Sequence, residues 1–428
     1  MKKKMKLTPL EKSWILYDIG NSAFTLLAST LIQIFFTDLA DSCGVDPTYQ
    51  LSCWAFAGSI STIIVAIIAP ICGTLSDRKY KKPIFFFAVV LGSAGCALMG
   101  LTGHWMAYLV VFVIAKVGFS SSIVFYDSML PEITTEERMD NISSMGYAFG
   151  YIGSVIPFVI CLVPLICAKF SLIPMRAASV TSALITAVWW IVCSIPLLKQ
   201  YKQTAYVEKQ GTALVDTFRQ IFRTFKEAKN EKHVFLYLIA FFFFINGVYT
   251  IIDMAVIYGK AQNLGDIGLL LALLLTQVVA FPCAIVFGRL SAKYDTGLLI
   301  KVCIICYTCI MIFGVFLASL WQFWTLAVMV GMFQGGIQAL SRSYFGKIIK
   351  PEQSGEFYGL MDICGKGSSF LGTTLVGVVN IVAKDVQIPV FGVTLGSSNL
   401  AVGALIILFI IGYFIFCKAD QLNKARMQ

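Results

Sequence analysis

Seven charged side chains lie inside long apolar stretches of this chain, where an ionised group is costly. The set contains four acids and three bases: Asp18, Lys116, Asp127, Asp253, Arg342, Asp362 and Lys366. A charge at the centre of a bilayer costs about 2.5–3.5 kcal/mol on insertion scales, so such residues usually face a partner or a water-filled path. The chemistry open to them is ion pairing, proton transfer and the binding of polar solutes.

The elements that must position these residues are predicted to be membrane-spanning helices. The 428-residue chain is 58% hydrophobic and only 13% charged, with a mean hydropathy of +0.81, whereas a soluble domain has about 25% charged residues. Apolar runs of about 20 residues are long enough to span a bilayer. We therefore predict an all-α membrane protein with twelve such helices, at residues 14–39, 51–75, 83–101, 106–128, 141–167, 177–198, 233–260, 267–290, 298–319, 321–345, 358–383 and 397–417. The first run is kept as a helix because it is too long for a signal-peptide core and no small-x-small cleavage site follows it.

The basic residues indicate the topology of the chain rather than a nucleic-acid partner. The formal net charge is +10. With the N-terminus in the cytoplasm and the loops assigned alternately, four of the 33 Lys and Arg residues fall outside, three lie within helices, and the remaining 26 are cytoplasmic. This asymmetry follows the positive-inside rule. We expect a multi-pass protein of the cell membrane, embedded in the lipid bilayer, with both termini cytoplasmic and no nucleic-acid partner.

A charged string between apolar runs occurs twice. The first copy, Gly73–Lys82, has the sequence GTLSDRKYKK, and a degenerate second copy, Gly288–Lys293, has the sequence GRLSAK. A repeated loop in a hydrophobic chain is typical of a transporter built from two fused halves. We predict an N-terminal six-helix half at 1–198, a cytoplasmic linker at 199–232 and a C-terminal six-helix half at 233–428.

The predicted linker carries an apolar stripe with bases around it. The apolar residues are Val215, Phe218, Ile221, Phe222 and Phe225, and the bases are Arg219, Arg223, Lys226 and Lys229. A basic amphipathic helix of this kind is expected to lie on the inner leaflet of the membrane. A plain solvated linker is the alternative.

The sequence offers little for catalysis or for a cofactor. It has two histidines, both at predicted helix ends, and 13 cysteines. Cys303, Cys306 and Cys309 recur at every third position, but no His, Asp or Glu lies between them to complete a tetrahedral metal site. No nucleotide-binding string of the G-x-x-x-x-G-K-[ST] type is present. We expect no metal, no cofactor and no enzymatic activity, and a gradient or simple facilitated diffusion in place of ATP.

Three strings carry a resemblance to a known family. They are Trp14–Phe24 (WILYDIGNSAF), Gln334–Ser343 (QGGIQALSRS), and Pro351-Glu352 followed by Glu356–Gly359 (EFYG). Together they resemble the signature of the vacuole-effluxer-like branch of the major facilitator superfamily, over nearly the whole chain. The resemblance implies two pseudo-symmetric six-helix halves, alternating access, and efflux of amino acids or similar small metabolites.

The chain departs from that branch at three positions. Asn246-Gly247 stands where the branch has an Asp-Gly pair, so proton coupling is not carried over to this position. Gly20 replaces the usual alanine, and Tyr80 replaces the last glycine of the repeated superfamily motif.

Helices one, four, seven and ten line the central cavity in the major facilitator fold, and they supply the whole of the predicted substrate site. Lys116, near mid-membrane in the fourth helix, is expected to hold an anionic group such as a carboxylate. The other members of the predicted site are polar: Asn21, Gln33, Asn246, Tyr249, Gln334 and Gln338. In the alternative interpretation, Lys116 is neutralised by an acid in a neighbouring helix and never contacts substrate.

Charged residues toward the cytoplasmic helix ends are predicted to form a gate. Ion pairs among Asp127, Arg342, Asp362 and Lys366 would close the inner mouth, and Asp362 and Lys366 share a helix face by their i,i+4 spacing. Permanent structural pairing is the alternative.

Asp77, with the adjacent Arg78, is assigned to the same conformational machinery. Asp77 sits at a helix junction, where a carboxylate can cap backbone N–H groups or meet the positive end of another helix. The resemblance implies that it latches the second helix against the eleventh. Ala292 replaces it in the second copy, so a matching latch is not expected there.

Asp18 and Asp253 are the carboxylates we predict for proton coupling, because a partly buried acid can acquire a raised pKa. The expected partner is a small-molecule substrate, and the expected oligomeric state is a monomer. Two other functions stay open. One is a multidrug or lipophilic-solute exporter, and the other is a non-transporting receptor built on a transporter scaffold.

Overall fold

The structure, a computed structural model, describes residues 6–208, 229–261, 266–390 and 393–427. The amphipathic stripe of the linker falls outside these residues. So does the side chain of Asp253, which lies in a described helix but is not itself described.

The described residues form fourteen α-helices and one short hairpin. The helices are α1 (Pro9–Ala28), α2 (Leu31–Ser42), α3 (Pro47–Leu75), α4 (Lys81–Met99), α5 (Trp105–Ser128), α6 (Leu130–Ile133), α7 (Glu136–Lys169), α8 (Met175–Gln200), α9 (Lys232–Ala261), α10 (Asp266–Leu290), α11 (Thr296–Val315), α12 (Leu320–Ile348), α13 (Ser354–Val382) and α14 (Ser397–Met427). The antiparallel strands β1 (Ile388–Val390) and β2 (Val393–Leu395) pair Ile388 with Leu395.

Ten of the described helical stretches are long and apolar enough to cross a membrane. One of the ten, Ser52–Met99, contains most of α3 and all of α4, which meet at a junction where Arg78 and Lys79 are not helical. The 29-residue α13 is not among the ten. The chain is therefore a nearly all-helical, multi-pass membrane protein, and the count of twelve spans stays a prediction.

The first predicted helix, 14–39, is wrong in its extent and is broken in two. A capping box starts α1 earlier, because Thr8 and Glu11 exchange side-chain and backbone hydrogen bonds. The helix then breaks after Ala28, where the hydroxyls of Ser29 and Thr30 donate to the Leu26 carbonyl. Such side-chain bonds compete with helical hydrogen bonding, and hydropathy does not register them.

Charged residues extend several helices beyond their apolar runs. The fifth predicted run begins at 141, whereas α7 begins at Glu136, and the last ends at 417, whereas α14 continues to Met427. In the extension of α14, Asp420 accepts from the Lys301 ammonium at 2.6 Å and the Tyr344 hydroxyl at 3.2 Å. The helices continue because buried charges there have partners.

The described chain packs as two compact units, each treated by itself. The first contains Met1–Thr135, Phe149–Ile221 and Pro351–Gly359, and the second contains Glu136–Ala148, Phe222–Lys350 and Leu360–Gln428. The start of α7 thus packs in the second unit, and the start of α13 packs in the first. Each unit therefore contains the first turns of one helix that comes from the other half of the sequence.

The same pairing of helices occurs inside both units. In the first, α1 packs on α8, α3 on α5, and α4 on α5 and α8. In the second, α9 packs on α14, α10 on α12, and α11 on α12 and α14. The two sets correspond in chain order, which agrees with the repeat seen in the sequence.

Gly20 marks the contact of α1 with α8. A Cβ built at this position would lie 2.6 Å from the Cβ of Cys193 and 3.3 Å from the Trp190 carbonyl oxygen. Small residues allow helix backbones to approach closely in membranes. An alanine at position 20 would therefore force α1 away from α8 in this chain.

Candidate functional site

Asp77 lies in the junction between α3 and α4 and caps the start of α13. Its Oδ1 accepts from the Gly355 amide at 2.8 Å and its Oδ2 from the Glu356 amide at 2.9 Å. The side chain is buried. The first N–H groups of a helix have no partner within the helix and carry its positive dipole end, so a carboxylate is stabilising there. Asp77 joins two stretches of sequence 278 residues apart within the first unit.

This contact requires glycine at position 355. A Cβ built there would overlap the Ser76 hydroxyl and lie 2.7 Å from Oδ1 of Asp77. The junction itself bends through Lys79, whose φ of 72° lies in the left-handed region. Arg78 also leaves the helical conformation, and its side chain is half-buried.

An ion pair that the sequence analysis missed supports the junction. The ammonium of Lys81, the first residue of α4, lies 2.6 Å from Glu132 Oε1, 2.8 Å from the Ser354 hydroxyl and 3.2 Å from the Ser128 carbonyl oxygen. Both charged side chains are almost fully buried. Lys81 thus ties α4 to the residue that begins α13. The third predicted run began at 83, which placed Lys81 in a loop.

The residues that follow α8 bind the other face of Glu132. Its Oε2 accepts from the amides of Thr204 and Ala205 at 2.7 and 3.1 Å, and its Oε1 accepts from the Tyr201 hydroxyl at 2.9 Å. Burial, and then the charge of Glu132, raise the pKa of Tyr201 above its usual range, so this hydroxyl stays a donor. One buried carboxylate fastens the start of the linker beside the α3–α4 junction.

A second buried carboxylate, Asp140 in α7, was also missed. Its Oδ2 accepts from the Lys347 ammonium and the Thr296 hydroxyl, each at 2.6 Å, and its Oδ1 accepts from the Ser343 hydroxyl at 2.6 Å. These partners begin α11 and end α12, so Asp140 joins the two sequence halves inside the second unit. The prediction of no matching latch rested on Ala292, but here the acid lies just before the fifth predicted helix. An acid one residue before that predicted helix was the available signal.

Arg342 is buried in the second unit. Its Nε and Nη2 donate to the hydroxyl and carbonyl oxygens of Ser143, both at 2.9 Å, and its guanidinium lies 4.3 Å from the centre of the Tyr147 ring. Asp127 belongs to the first unit, where it is half-buried in α5. The pairing of these two residues stays a prediction.

Asp362 and Lys366 form an ion pair on α13. Their charged atoms approach to 2.6 Å, and both side chains are mostly buried. The spacing of one helical turn gives this contact directly. Whether the pair opens during a functional cycle is a prediction.

The predicted substrate residues divide between the two units. Lys116, Asn21 and Gln33 lie in the first unit, and Asn246, Tyr249, Gln334 and Gln338 lie in the second. Lys116 is half-buried, with its ammonium 5.8 Å from the centre of the Phe112 ring, and a Cβ at Gly58 would lie 3.5 Å from it. The absence of a side chain at Gly58 leaves room for this ammonium beside α3.

Two of the predicted substrate residues have buried side-chain amides. Among the described residues, the Nδ2 atoms of Asn21 and Asn246 have no hydrogen-bond partner. The Oδ1 of Asn246 accepts from the Thr250 hydroxyl at 3.1 Å, and this side chain packs where α13 passes at Gly372. Asn246 therefore lies at the contact of α9 with α13.

Asp18 is buried in α1, and a Cβ at Gly150 of α7 would lie 3.7 Å from its carboxyl carbon. Across the described part of the chain, no group of three or more His, Cys, Asp or Glu side chains is arranged to hold a metal ion.

Comparisons with known proteins agree with this architecture. The profile of the family described as "Vacuole effluxer Atg22 like" matches residues 10–416. The uncharacterized MFS-type transporter YxiO of Bacillus subtilis is 36% identical over 422 residues, which cover 97% of this chain and 96% of that protein. Autophagy-related protein 22-2 of Aspergillus clavatus is 27% identical over 265 residues, which cover 56% of this chain and 43% of that protein. The match thus spans less than half of the fungal relative.

Solved structures show the same fold. The human organic anion transporter MFSD10 superposes with a TM-score of 0.71 at 13% identity, over 95% of this chain and 98% of that chain. The major facilitator superfamily transporter FucP, in its outward conformation, superposes with a TM-score of 0.70 at 14% identity, over 96% and 98%. These likenesses identify the fold alone. From the family match and the full-length relative, the chain belongs to the Atg22-like vacuole effluxer family of major facilitator superfamily transporters.

Proposed function

We propose that this protein is a secondary transporter that exports a small polar metabolite, with amino acids as the first class to test, by alternating access. Twelve spans, cytoplasmic termini, the division into 1–198, 199–232 and 233–428, and a monomeric state belong to this proposal. The family membership and the charges within the helices support it.

The buried carboxylates Asp77 and Asp140 are the observation that carries the proposal. Each joins the two halves of the sequence through polar contacts, Asp77 to the start of α13 and Asp140 to α11 and α12. Alternating access requires contacts between the halves that break and re-form. Hydrogen bonds suit this role because water replaces the lost partner, so the net free energy of each bond to an ionised group is only about 1.5–3 kcal/mol.

The remaining charged and polar residues receive separate roles in this proposal. Lys116 binds an acidic group of the substrate, and the polar residues named with it contact the rest of the molecule. Arg342, Asp127, Asp362 and Lys366 act as a gate, and Asp18 and Asp253 are the groups for proton coupling. Charged residues within membrane helices usually face a partner or a water-filled path and often mark substrate pathways.

Counterflow in proteoliposomes tests the function. Vesicles containing the purified protein are loaded with an unlabelled mixture of amino acids, and entry of the labelled mixture is followed, with sugars and organic acids in parallel sets. We expect transient accumulation of at least one set, absent from protein-free vesicles. Binding of a set without counterflow would instead identify a receptor on a transporter scaffold.

A further inference from the structure

A cavity of about 110 Å³, partly open to its surroundings, lies in the second unit where α9, α11, α12, α13 and α14 meet. Its wall is mostly apolar and includes Ile251, Met254, Phe323, Leu326 and Leu405. An apolar cavity of about 150 Å³ in another protein stays dry and binds benzene. The space here therefore fits a single aromatic ring or a short alkyl group.

The deep polar groups of the wall are already bonded within the protein. The Tyr258 hydroxyl donates to the Gly314 carbonyl at 2.8 Å and accepts from the Asn399 amide at 3.1 Å. The Thr250 hydroxyl donates to Asn246 Oδ1 at 3.1 Å. A water molecule needs two to four polar partners to be held in a cavity. The Tyr258 and Thr250 hydroxyls already have partners, so they offer a water molecule few hydrogen bonds. This favours an apolar occupant.

The remaining polar side chains of the cavity wall are less buried. Ser398 is half-buried at the start of α14, and Asn380 is exposed near the end of α13. None of the described residues that line the cavity is acidic or basic. A zwitterion or an organic anion would lose its hydration there without a compensating charge, which is strongly unfavourable.

We propose that this cavity is a binding site for a small uncharged molecule with an apolar ring or short alkyl body and a single hydroxyl group. The body lies among the apolar side chains of α9, α12 and α14, and the hydroxyl bonds to Ser398 or Asn380. The described residues that line this site include no acid or base, which distinguishes it from the proposed site for a polar substrate. Five helices line the cavity, so a ligand bound there stabilises the second unit against unfolding.

Thermal unfolding of the full-length protein with 4-fluorophenol as the probe tests this site. A ligand that binds only the folded state raises the unfolding midpoint, by about 3 °C near one hundred times its dissociation constant. We expect a saturable rise of this size for the unchanged protein. 4-Fluorobenzoate, which has the same ring and a negative charge at pH 8, should give none.

Filling the cavity separates specific binding from partition into detergent. Ala401→Leu and Ala255→Leu each place a larger side chain in the cavity wall, whereas Ala107→Leu adds the same atoms at an exposed position of α5 in the first unit. We expect the response to 4-fluorophenol to vanish in both cavity variants and to persist in Ala107→Leu. Two cavity variants are used so that, if one of them fails to fold, the other still tests the proposal. An equal response in a folded cavity variant, an equal response to 4-fluorobenzoate, or no response in the unchanged protein would overturn the proposal.

Discussion

Replacing Asp140 with asparagine should lower the unfolding midpoint of the protein by roughly 3–4 °C, through a loss of about 3 kcal/mol. The change leaves the Lys347 ammonium, whose side chain is only 18% exposed, without its counter-charge. Removing one partner of a buried ion pair is strongly destabilising because the other charge is left desolvated. The hydroxyls of Thr296 and Ser343 can rotate to accept from the new amide, which limits the loss.

The companion change Lys347→Met identifies the cause. Together with Asp140→Asn it removes both charges, so the double variant should recover more than half of the loss. Asp385→Asn is the matched control, because that acid is 88% exposed in its loop and pairs only at 4.0 Å. If the double variant is no more stable than Asp140→Asn, the ion pair is not what holds α7 to α12.

Replacing Lys116 with glutamine should reduce counterflow of the transported metabolite by about 10- to 100-fold. This range corresponds to the loss of one hydrogen bond to a charged group, about 1.5–3 kcal/mol. Glutamine keeps a polar end on the side chain but removes the charge that we assign to binding an acidic substrate group. Counterflow over a range of substrate concentrations measures the change.

Lys116→Arg is the control for charge, and it should retain most of the activity. Each variant is first checked for an unchanged unfolding midpoint, because a lost structural contact would lower transport indirectly. Unchanged transport kinetics in a well-folded Lys116→Gln protein would remove Lys116 from the substrate site. It would favour the alternative in which a neighbouring acid neutralises this residue.

The apolar pattern of the sequence was sufficient to predict the class of fold but not the residues at which the helices begin and end. Hydropathy falls where charges begin, so the predicted boundaries excluded Lys81 and Asp140, and Lys347 lay beyond the predicted end at 345. In the structure these residues are helical because each has a buried partner far away in sequence. Such partners are set by tertiary packing, which no local pattern reveals.

The candidate site could be predicted only in part, again because its contacts join residues that are far apart in sequence. The helix junction at Asp77 marked it as a capping carboxylate, but the amides it binds lie 278 residues away. Asp140 was missed because the counterpart of Asp77 in the second copy of the charged string is Ala292, so no acid was expected there. In the second unit the buried acid lies on a different helix, α7. The ion pair between Asp362 and Lys366 needed only their spacing, since both lie on one helix.

A disulfide between α7 and α10 tests alternating access most directly. In the second unit, a Cβ at Gly288 would lie 2.8 Å from the Cβ of Ser144, so a small shift brings this pair to the separation of about 3.5–4.5 Å found in disulfides. The variant Ser144→Cys with Gly288→Cys is reconstituted, oxidised and assayed for counterflow, beside unchanged protein given the same oxidant. If contacts between the sequence halves must open in each cycle, oxidation should abolish counterflow and reduction should restore it. Undiminished counterflow in the fully cross-linked protein would contradict the account.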